Sequence, residues 1–348
     1  MLSLFICVAS YGQGYTFIPD SLRLLPMEEL MKKEPPANFE PVYYEDGTTV
    51  SFLEVLPLIE QQKLWPLMFV DNDGNYKALV VKNLIKNEDI RIAYDNIPIS
   101  LEKLGHSFGN PDSDTVIINM DGGPINRLRT YSFESRYNLS GGLDERNYFL
   151  INMRESHTLH PEETEKEEIS IEQAKKYNEK TTKTLFELVS YFKSQDKKVY
   201  VVGGSYGSFV GLKSIVDYKN IADGYLLMVG RLDMNEEVWK PYSKGIEVKF
   251  EEDGIVVILG EKSENVYTVN MQKIAAEISI DRYTELLKDA NLSNLIYIYI
   301  ENDQSVGRLT ENEIKFLESK NAKVVSVKGE HGNFYEHLKK GLQLLLDN

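Results

Sequence analysis

After about residue 98 the chain alternates short, nearly continuous apolar runs with longer segments of helical periodicity. The apolar runs are "DTVIINMDGG", "NYFLINMRES", "KKVYVVGGS", "ADGYLLMVGR", "NLIYIYIEND" and "AKVVSVKGEH". Such runs are typical of strands buried on both faces of a largely parallel sheet. The longest helix candidate, roughly residues 168–195, separates the second run from the third, and Thr310 and Glu313 have capping-box spacing. The pattern predicts an α/β fold with a mostly parallel, doubly wound sheet.

The intervals outside these runs predict the domain organisation. Residues 1–14 contain an apolar stretch that fits a signal peptide, and the proline-containing residues 15–37 fit an N-terminal extension or linker. We expect a core of residues 38–232 and 293–348, whose first part, 38–98, is β-rich and includes a hairpin over "LMFVDNDGNYKALVVK". Residues 233–292 are more than a single crossover needs, so we expect an inserted cap or lid there.

Composition restricts the partners and the compartment. The chain has 39 Lys and Arg against 54 Asp and Glu, a formal charge of −15, so nucleic acid is not an expected partner. Cys7 is the single cysteine, which excludes an intrachain disulfide and a cysteine-based zinc cluster. The apolar N-terminus favours a secreted or periplasmic protein, and the lack of Lys or Arg before Arg23 keeps a cytoplasmic location as the alternative. No stretch supplies the about 20 apolar residues of a spanning helix, so we expect no stable membrane span.

A serine between glycines follows the third apolar run. In "VVGGSYGS", Gly203, Gly204 and Gly207 surround Ser205, and a helix-compatible segment follows. A sharp strand-to-helix turn crowds the positions two before and two after its serine, so only small residues fit there. A closely packed turn without chemistry is the alternative; a phosphate cradle is a weaker one, because GxGxxG and the Walker lysine are absent. We interpret the motif as a nucleophile elbow.

A nucleophilic serine needs a base and an acid that orients the base. His331 follows the last apolar run, and Asp303 follows the run before it, so neighbouring strand ends deliver both to one edge in the order Ser, Asp, His. Asp233 is the rival for the acid. His106 and His337 are less well placed, since the first precedes the core strands and the second falls in the terminal helix.

Two further turns at this edge are candidate site components. Gly122-Gly123-Pro124 ends the first run, and we expect the amides of Gly123 and Tyr206 to form an oxyanion hole. The segment "MRESHTLHPEE" offers Arg154, His157 and His160 as pocket-lining residues. Its HxxH spacing admits zinc, but HExxH is absent and proline follows the second histidine, so we expect no metal and no cofactor.

Together the GGSYG elbow, the GGP turn, Asp303 and His331 resemble the α/β-hydrolase superfamily over about residues 90–348. At motif level the chain is most similar to proline-iminopeptidase-type serine hydrolases, whose oxyanion turn is HGGPG. The resemblance implies Ser205 as nucleophile, His331 as base, Asp303 as acid and a cap inserted after the sixth strand. The chain departs from the motif: Asp121 stands in place of the histidine before the double glycine, and Ile125 in place of the last glycine.

These observations predict a serine hydrolase that cleaves an ester or an amide bond of a small-molecule or peptide substrate through an acyl-enzyme. Esterase and aminopeptidase activities both fit this chemistry. The alternative is a non-catalytic binding protein of the same fold, in which the elbow survives as architecture. The altered residues around Gly122 and Arg154 favour that alternative, and the intact Ser, Asp and His set opposes it.

Overall fold

The computed structural model describes residues 15–25, 39–60, 64–83, 89–125, 128, 133, 136–144, 147–251 and 254–347. The chain divides into two compact units, Met1–Lys86 and Asn87–Asn348. The signal peptide predicted over residues 1–14 lies outside the described residues, as do residues 26–38 of the predicted extension.

The described part of the first unit is a mixed sheet with one helix. Its elements are β1 (Arg23–Leu24), β2 (Val42–Tyr44), β3 (Thr49–Val50), α1 (Phe52–Glu60), β4 (Leu64–Val70) and β5 (Tyr76–Asn83), in the sheet order β1-β4-β5-β2-β3. The predicted hairpin is confirmed, since β4 and β5 pair antiparallel. Its turn is closed by the Asp71 carboxylate, which accepts backbone N–H groups from Asp73 at 3.0 Å and Asn75 at 2.8 Å. Residues 23–24 of the predicted extension pair with β4.

The second unit is organised around a central sheet that has seven strands in the described part of the chain. The strands are β8 (Gly105–Gly109), β9 (Thr115–Met120), β10 (Phe149–Met153), β11 (Lys198–Gly204), β12 (Gly224–Met228), β15 (Leu295–Ile300) and β16 (Lys323–Val327). Their order is β16-β15-β12-β11-β9-β10-β8, and each pairing is parallel except that of β8 with β10. All six predicted core strands are present, and this order is that of the α/β-hydrolase fold. The antiparallel edge strand β8 was not predicted.

Helices cover both faces of this sheet. The helices described in this unit are α2 (Leu101–Leu104), α3 (Pro161–Lys166), α4 (Ile171–Lys193), α5 (Tyr206–Tyr218), α6 (Glu236–Tyr242), α7 (Val266–Ile278), α8 (Tyr283–Leu286), α9 (Glu311–Ser319) and α10 (Leu338–Leu346). Alternate strand residues face opposite ways, so Val116 packs in one core cluster with Leu188 of α4, and Ile117 packs in the other with Leu342 of α10. The predicted capping box at Thr310 and the long helix after β10 are confirmed.

Residues 233–292, between β12 and β15, contain α6, the hairpin of β13 (Val248–Phe250) with β14 (Val256–Ile258), α7 and α8. A further hairpin, β6 (Arg91–Tyr94) with β7 (Ile97–Ser100), precedes the central sheet. Val238 of α6 and Ile274 of α7 belong to the core cluster on the α4 face. The Asn178 side chain of α4 donates to the Ile274 carbonyl at 2.9 Å. The role of this segment as a cap stays a prediction.

No helix within the described residues is both long enough and apolar enough to cross a membrane.

Candidate active site

Ser205 lies on a tight turn between β11 and α5. Its backbone has φ 52° and ψ −117°, a region that residues other than glycine rarely adopt. The glycines around it permit close backbone approach: a Cβ on Gly203 would lie 2.4 Å from the Gly207 carbonyl oxygen, and one on Gly207 would lie 2.4 Å from the Met120 carbonyl oxygen. The strained turn and these contacts have the form of the predicted elbow, and they place the serine at the carboxyl edge of the sheet.

His331 contacts both Ser205 and Asp303. Its Nδ1 lies 2.7 Å from Asp303 Oδ2, and its Nε2 lies 2.9 Å from Ser205 Oγ. A carboxylate only accepts hydrogen bonds, so Nδ1 carries a proton, and in the neutral imidazole Nε2 is left to accept the serine hydroxyl proton. The Asp303 carboxylate is buried, and its Oδ1 accepts the backbone N–H groups of Ser305 at 2.9 Å and Val306 at 3.0 Å. These bonds fix the carboxylate toward His331.

The rival acid, Asp233, lies in a different set of contacts. Its carboxylate accepts the hydroxyl of Thr284 at 2.6 Å and is paired with Arg282 at 3.1 Å. The structure therefore brings Asp303, and not Asp233, to His331.

The loop that carries His331 is anchored on the elbow and on the neighbouring strand end. Phe334 is buried, and a Cβ on Gly204 would lie 2.2 Å from its ring, so this ring occupies the space that a side chain at 204 would need. The Tyr335 hydroxyl donates to Asp121 at 3.2 Å. Both contacts hold the loop against the central sheet.

The predicted oxyanion turn packs directly against the elbow. A Cβ on Gly122 would lie 3.3 Å from Ser205 Cβ, and Gly123 and Tyr206 line the same cavity as Ser205. Tyr206 is the first residue of α5, where backbone N–H groups have no partner within the helix. The two predicted amide donors thus belong to residues that border the space beside the serine hydroxyl.

Asp121 stands in the network behind this turn. Its side chain is buried and accepts hydrogen bonds from Asn152 at 3.0 Å, Arg136 at 3.2 Å and Tyr335 at 3.2 Å. Asn119 donates to Asn152 at 2.7 Å, which links β9 to β10. The Asp121 carboxylate is therefore paired with a cation and with an amide donor, and it supports the strand end from which Gly122 and Gly123 follow.

Glu155 and His157 hold the other end of the turn. The backbone N–H of Ile125 donates to Glu155 Oε2 at 3.3 Å, and the Ile125 carbonyl lies 2.7 Å from His157 Nε2. His157 Nε2 is also 3.1 Å from Glu155 Oε2, while Glu155 Oε1 and His157 Nδ1 are buried with no hydrogen-bond partner among the described residues. Burial raises the pKa of Glu155 above its ordinary value. Because a carbonyl only accepts, His157 Nε2 carries a proton, and both polar backbone groups of Ile125 are bound.

A buried ion pair joins the end of β12 to the start of α9. Arg231 Nε donates to the two Glu313 carboxylate oxygens at 3.0 and 3.1 Å, and both side chains are buried. Glu313 also accepts backbone N–H groups from Leu232 and Asp233, each at 2.9 Å, and from Thr310 at 2.7 Å. Burial opposes ionisation of Glu313, but the Arg231 charge and these donors outweigh it, so its pKa lies below the ordinary value.

A cavity of about 230 Å³ opens beside Ser205 and His331. The core contributes Phe209, one turn beyond the nucleophile on α5. Residues of segment 233–292 form a further part of the lining: Met234, Val238, Trp239, Tyr242, Ala275, Ala276 and Ser279. No sequence motif identifies these residues, because apolar and aromatic side chains on an insertion are equally consistent with ordinary packing.

The candidates Arg154, His157 and His160 do not line this cavity. His157 is fully buried against Ile125, and His160 has a 60% exposed side chain that lies 3.5 Å from Glu162. Arg154 is half-buried, and burial lowers its pKa. The pocket-lining prediction therefore does not hold for this cavity, since only a short 3₁₀ segment, Ser156–Leu159, follows β10 and it turns His157 inward.

No family model and no curated protein matches this sequence. Among solved structures, the chain is similar to Est1E from Butyrivibrio proteoclasticus, with 13% identity over 74% of this chain and 99% of that one and a TM-score of 0.44. A bromoperoxidase from Bacillus anthracis has 16% identity over 74% and 99% of the two chains and a TM-score of 0.44. The α/β-hydrolase enzyme MGS-M2 from a deep-sea metagenome library has 14% identity over 70% and 92%, with a TM-score of 0.46. The strand order of the central sheet, and not these similarities, identifies the fold.

Proposed function

We propose that this protein is a serine hydrolase that cleaves an ester or amide bond through an acyl-enzyme on Ser205. The observation that carries the proposal is the position of His331, whose two ring nitrogens lie within hydrogen-bond distance of Ser205 Oγ and Asp303 Oδ2. A hydroxyl, an imidazole and a carboxylate connected in this order are the parts of a nucleophilic triad.

In the proposed reaction Ser205 Oγ attacks the substrate carbonyl carbon while His331 Nε2 accepts the hydroxyl proton. The carbonyl oxygen becomes negatively charged, and the amides of Gly123 and Tyr206 stabilise it. His331 then donates its proton to the leaving alcohol or amine as the acyl-enzyme forms. A water molecule, deprotonated by His331, attacks the acyl carbonyl carbon. The bond between this carbon and Ser205 Oγ then breaks, His331 returns the proton to Oγ, and the carboxylic acid is released.

Asp303 has a supporting part in both steps. It holds His331 with Nδ1 protonated, and its negative charge stabilises the imidazolium that exists after each proton transfer. Its burial and its two backbone donors keep it in place during these steps.

A fluorophosphonate probe tests this proposal, because it phosphonylates an activated serine. We expect stoichiometric labelling of the full chain, loss of labelling in Ser205→Ala, and retained labelling in Ser305→Ala, which removes a hydroxyl from the same cavity. Folded wild-type protein that takes up no probe would refute the proposal and favour the non-catalytic binding protein.

A further inference from the structure

The cavity beside Ser205 has an uncharged lining, although the chain as a whole has a formal net charge of −15. In the part of the chain that the structure describes, its lining includes no Asp, Glu, Lys or Arg, and His331 is its single titratable group apart from tyrosine hydroxyls. Trp239, Tyr242, Phe209 and Met234 provide aromatic and apolar surface. A ligand group that contacts these described residues is therefore removed from water without gaining a counter-ion from them.

Three carboxylates on, or hydrogen-bonded to, segments that border the cavity have other contacts. Asp303 binds His331 and two backbone amides. Glu155 binds the Ile125 amide and lies beside His157. Glu277, on the same helix as Ala275, accepts the Asn178 side chain at 2.6 Å. A substrate with a free α-ammonium group would find none of them in the cavity lining.

We propose that the acyl portion of the substrate is a short, uncharged apolar group, and that substrates with a free α-ammonium group are rejected. The inference rests on the proposed serine hydrolase function and names its substrate class. A charged ammonium that loses water without a partner is strongly disfavoured, whereas an apolar chain gains free energy from the same transfer. The site therefore selects esters of simple carboxylic acids over aminoacyl derivatives.

The volume of the cavity limits the acyl chain. Its 230 Å³ is below the range of about 300–1,000 Å³ that is usual for drug-sized ligands. Since one water molecule occupies about 30 Å³ of liquid, the cavity accommodates on the order of eight non-hydrogen atoms. Acyl groups of about four to eight carbons fill it, and longer chains exceed it.

Two side chains are placed to set this limit. Trp239 on α6 and Ala275 on α7 both line the cavity and both are half-buried, so they can be changed without opening the main core. An enlarged side chain at 275 shortens the space, and a truncated one at 239 extends it. Both residues are specificity determinants in this proposal and neither acts in the chemistry.

The first test compares p-nitrophenyl esters that differ only in the acyl group. From acetyl to butanoyl we expect kcat/KM to rise roughly fourfold per methylene, as expected for burial of apolar surface, and to fall for chains beyond about eight carbons. A flat chain-length profile, or one set by the leaving group instead, would overturn the proposal.

The second test uses an isosteric pair, the isobutyryl and alanyl p-nitrophenyl esters, which differ by a methyl in place of an ammonium. At pH 6, where an α-amino group is charged, we expect the alanyl ester to have at least about 100-fold lower kcat/KM. The difference in kcat/KM between the two esters should become smaller at pH 8.5, because the α-amino group of the alanyl ester loses its proton. Any change of protonation in the enzyme affects both esters equally. Equal or preferred use of the alanyl ester at pH 6 would show that the acyl site accepts a cation, contrary to the proposal.

Cavity variants complete the design. Ala275→Phe should lower kcat/KM for the hexanoyl ester at least tenfold relative to the acetyl ester, and Trp239→Ala should move the optimum to longer chains. Ala290→Phe is the matched control, since Ala290 is also half-buried but lines a separate groove. Labelling of Ser205 by a small fluorophosphonate distinguishes failure of the proposed function from failure of this inference. No labelling of the wild type would refute the proposed function. Normal labelling with an unchanged acyl preference in both variants would refute this inference alone.

Discussion

Glu313 and Arg231 form a pair whose two members should differ in their contribution to stability. Glu313→Gln removes the negative charge beside the Arg231 guanidinium, and it places an amide group where a carboxylate oxygen accepts backbone N–H groups. Arg231→Met removes the cation, but it leaves Glu313 with the backbone amides of Leu232, Asp233 and Thr310. The carboxylate is thus the central acceptor, and the arginine is one of several donors.

The magnitudes follow from what each substitution leaves buried. An Arg231 side chain that is 3% exposed and has lost its counter-ion costs about 3–5 kcal/mol, so Glu313→Gln should lower the free energy of unfolding by that amount. Arg231→Met leaves Glu313 as a buried carboxylate without its counter-ion, but the backbone N–H groups of Leu232, Asp233 and Thr310 still donate to it. Its cost should be about 1.5–3 kcal/mol.

Urea denaturation of the full chain measures both values. The chain contains two tryptophans, so a Trp65→Phe background leaves Trp239 as the fluorescent reporter of the second unit. The lowered pKa of Glu313 also fixes a sign: its contribution is present above the ordinary pKa of 4.5 and is lost as pH falls through the lower value in the folded protein. The gap between wild type and Glu313→Gln should therefore narrow toward pH 3. If Arg231→Met cost as much as Glu313→Gln at pH 7, with unchanged denaturant dependence, the proposed hierarchy of donors would be wrong.

Three further outcomes are expected. Asp303→Asn should reduce kcat on the preferred ester about 10⁴-fold with KM changed only a few fold, and a loss below tenfold would contradict its orienting role. Gly207→Ala should lower stability by about 1–3 kcal/mol in thermal unfolding, because its Cβ would lie 2.4 Å from a carbonyl oxygen, whereas Gly260→Ala, with no atom within 4 Å, should be neutral. Glu155 has a raised pKa when folded, so its contribution is present below pH 4.5 and is lost as pH rises through the folded value. Glu155→Gln should accordingly lose less stability than wild type between pH 5 and pH 8 in urea titrations, and parallel profiles would speak against a buried, ionisable Glu155.

The sequence was sufficient for the central sheet because its signals there are local. A strand buried on both faces is apolar at nearly every position, as in β15, and a run of this kind is visible without knowledge of its neighbours. The positions of Ser205, Asp303 and His331 could be inferred for a related reason. Parallel strands end at one edge, so residues after three separate strands converge in space although they are far apart in the chain.

The features that were missed depend on long-range packing. The edge strand β8 has five residues, GHSFG, with glycine at both ends. It pairs with one neighbouring strand only, and its sequence lacks the continuous apolar run that marks the central strands. Glu155 follows β10, and its position in the sequence shows no special role. Its carboxylate accepts the backbone N–H of Ile125, which lies thirty positions earlier in the chain. Trp239 and Ala275 border the cavity only because segment 233–292 packs on the core cluster that includes Val238 and Ile274.

The contact between Phe334 and Gly204 bears on how such a molecule can change over evolutionary time. The histidine loop is seated on the nucleophile turn by that ring and on β9 through Tyr335 and Asp121, and neither contact involves segment 233–292. Under the proposed function, the sequence that activates the serine and the sequence that encloses the acyl group are therefore largely separable stretches of chain. Replacement of the second stretch can then create a new specificity while the first is inherited unchanged.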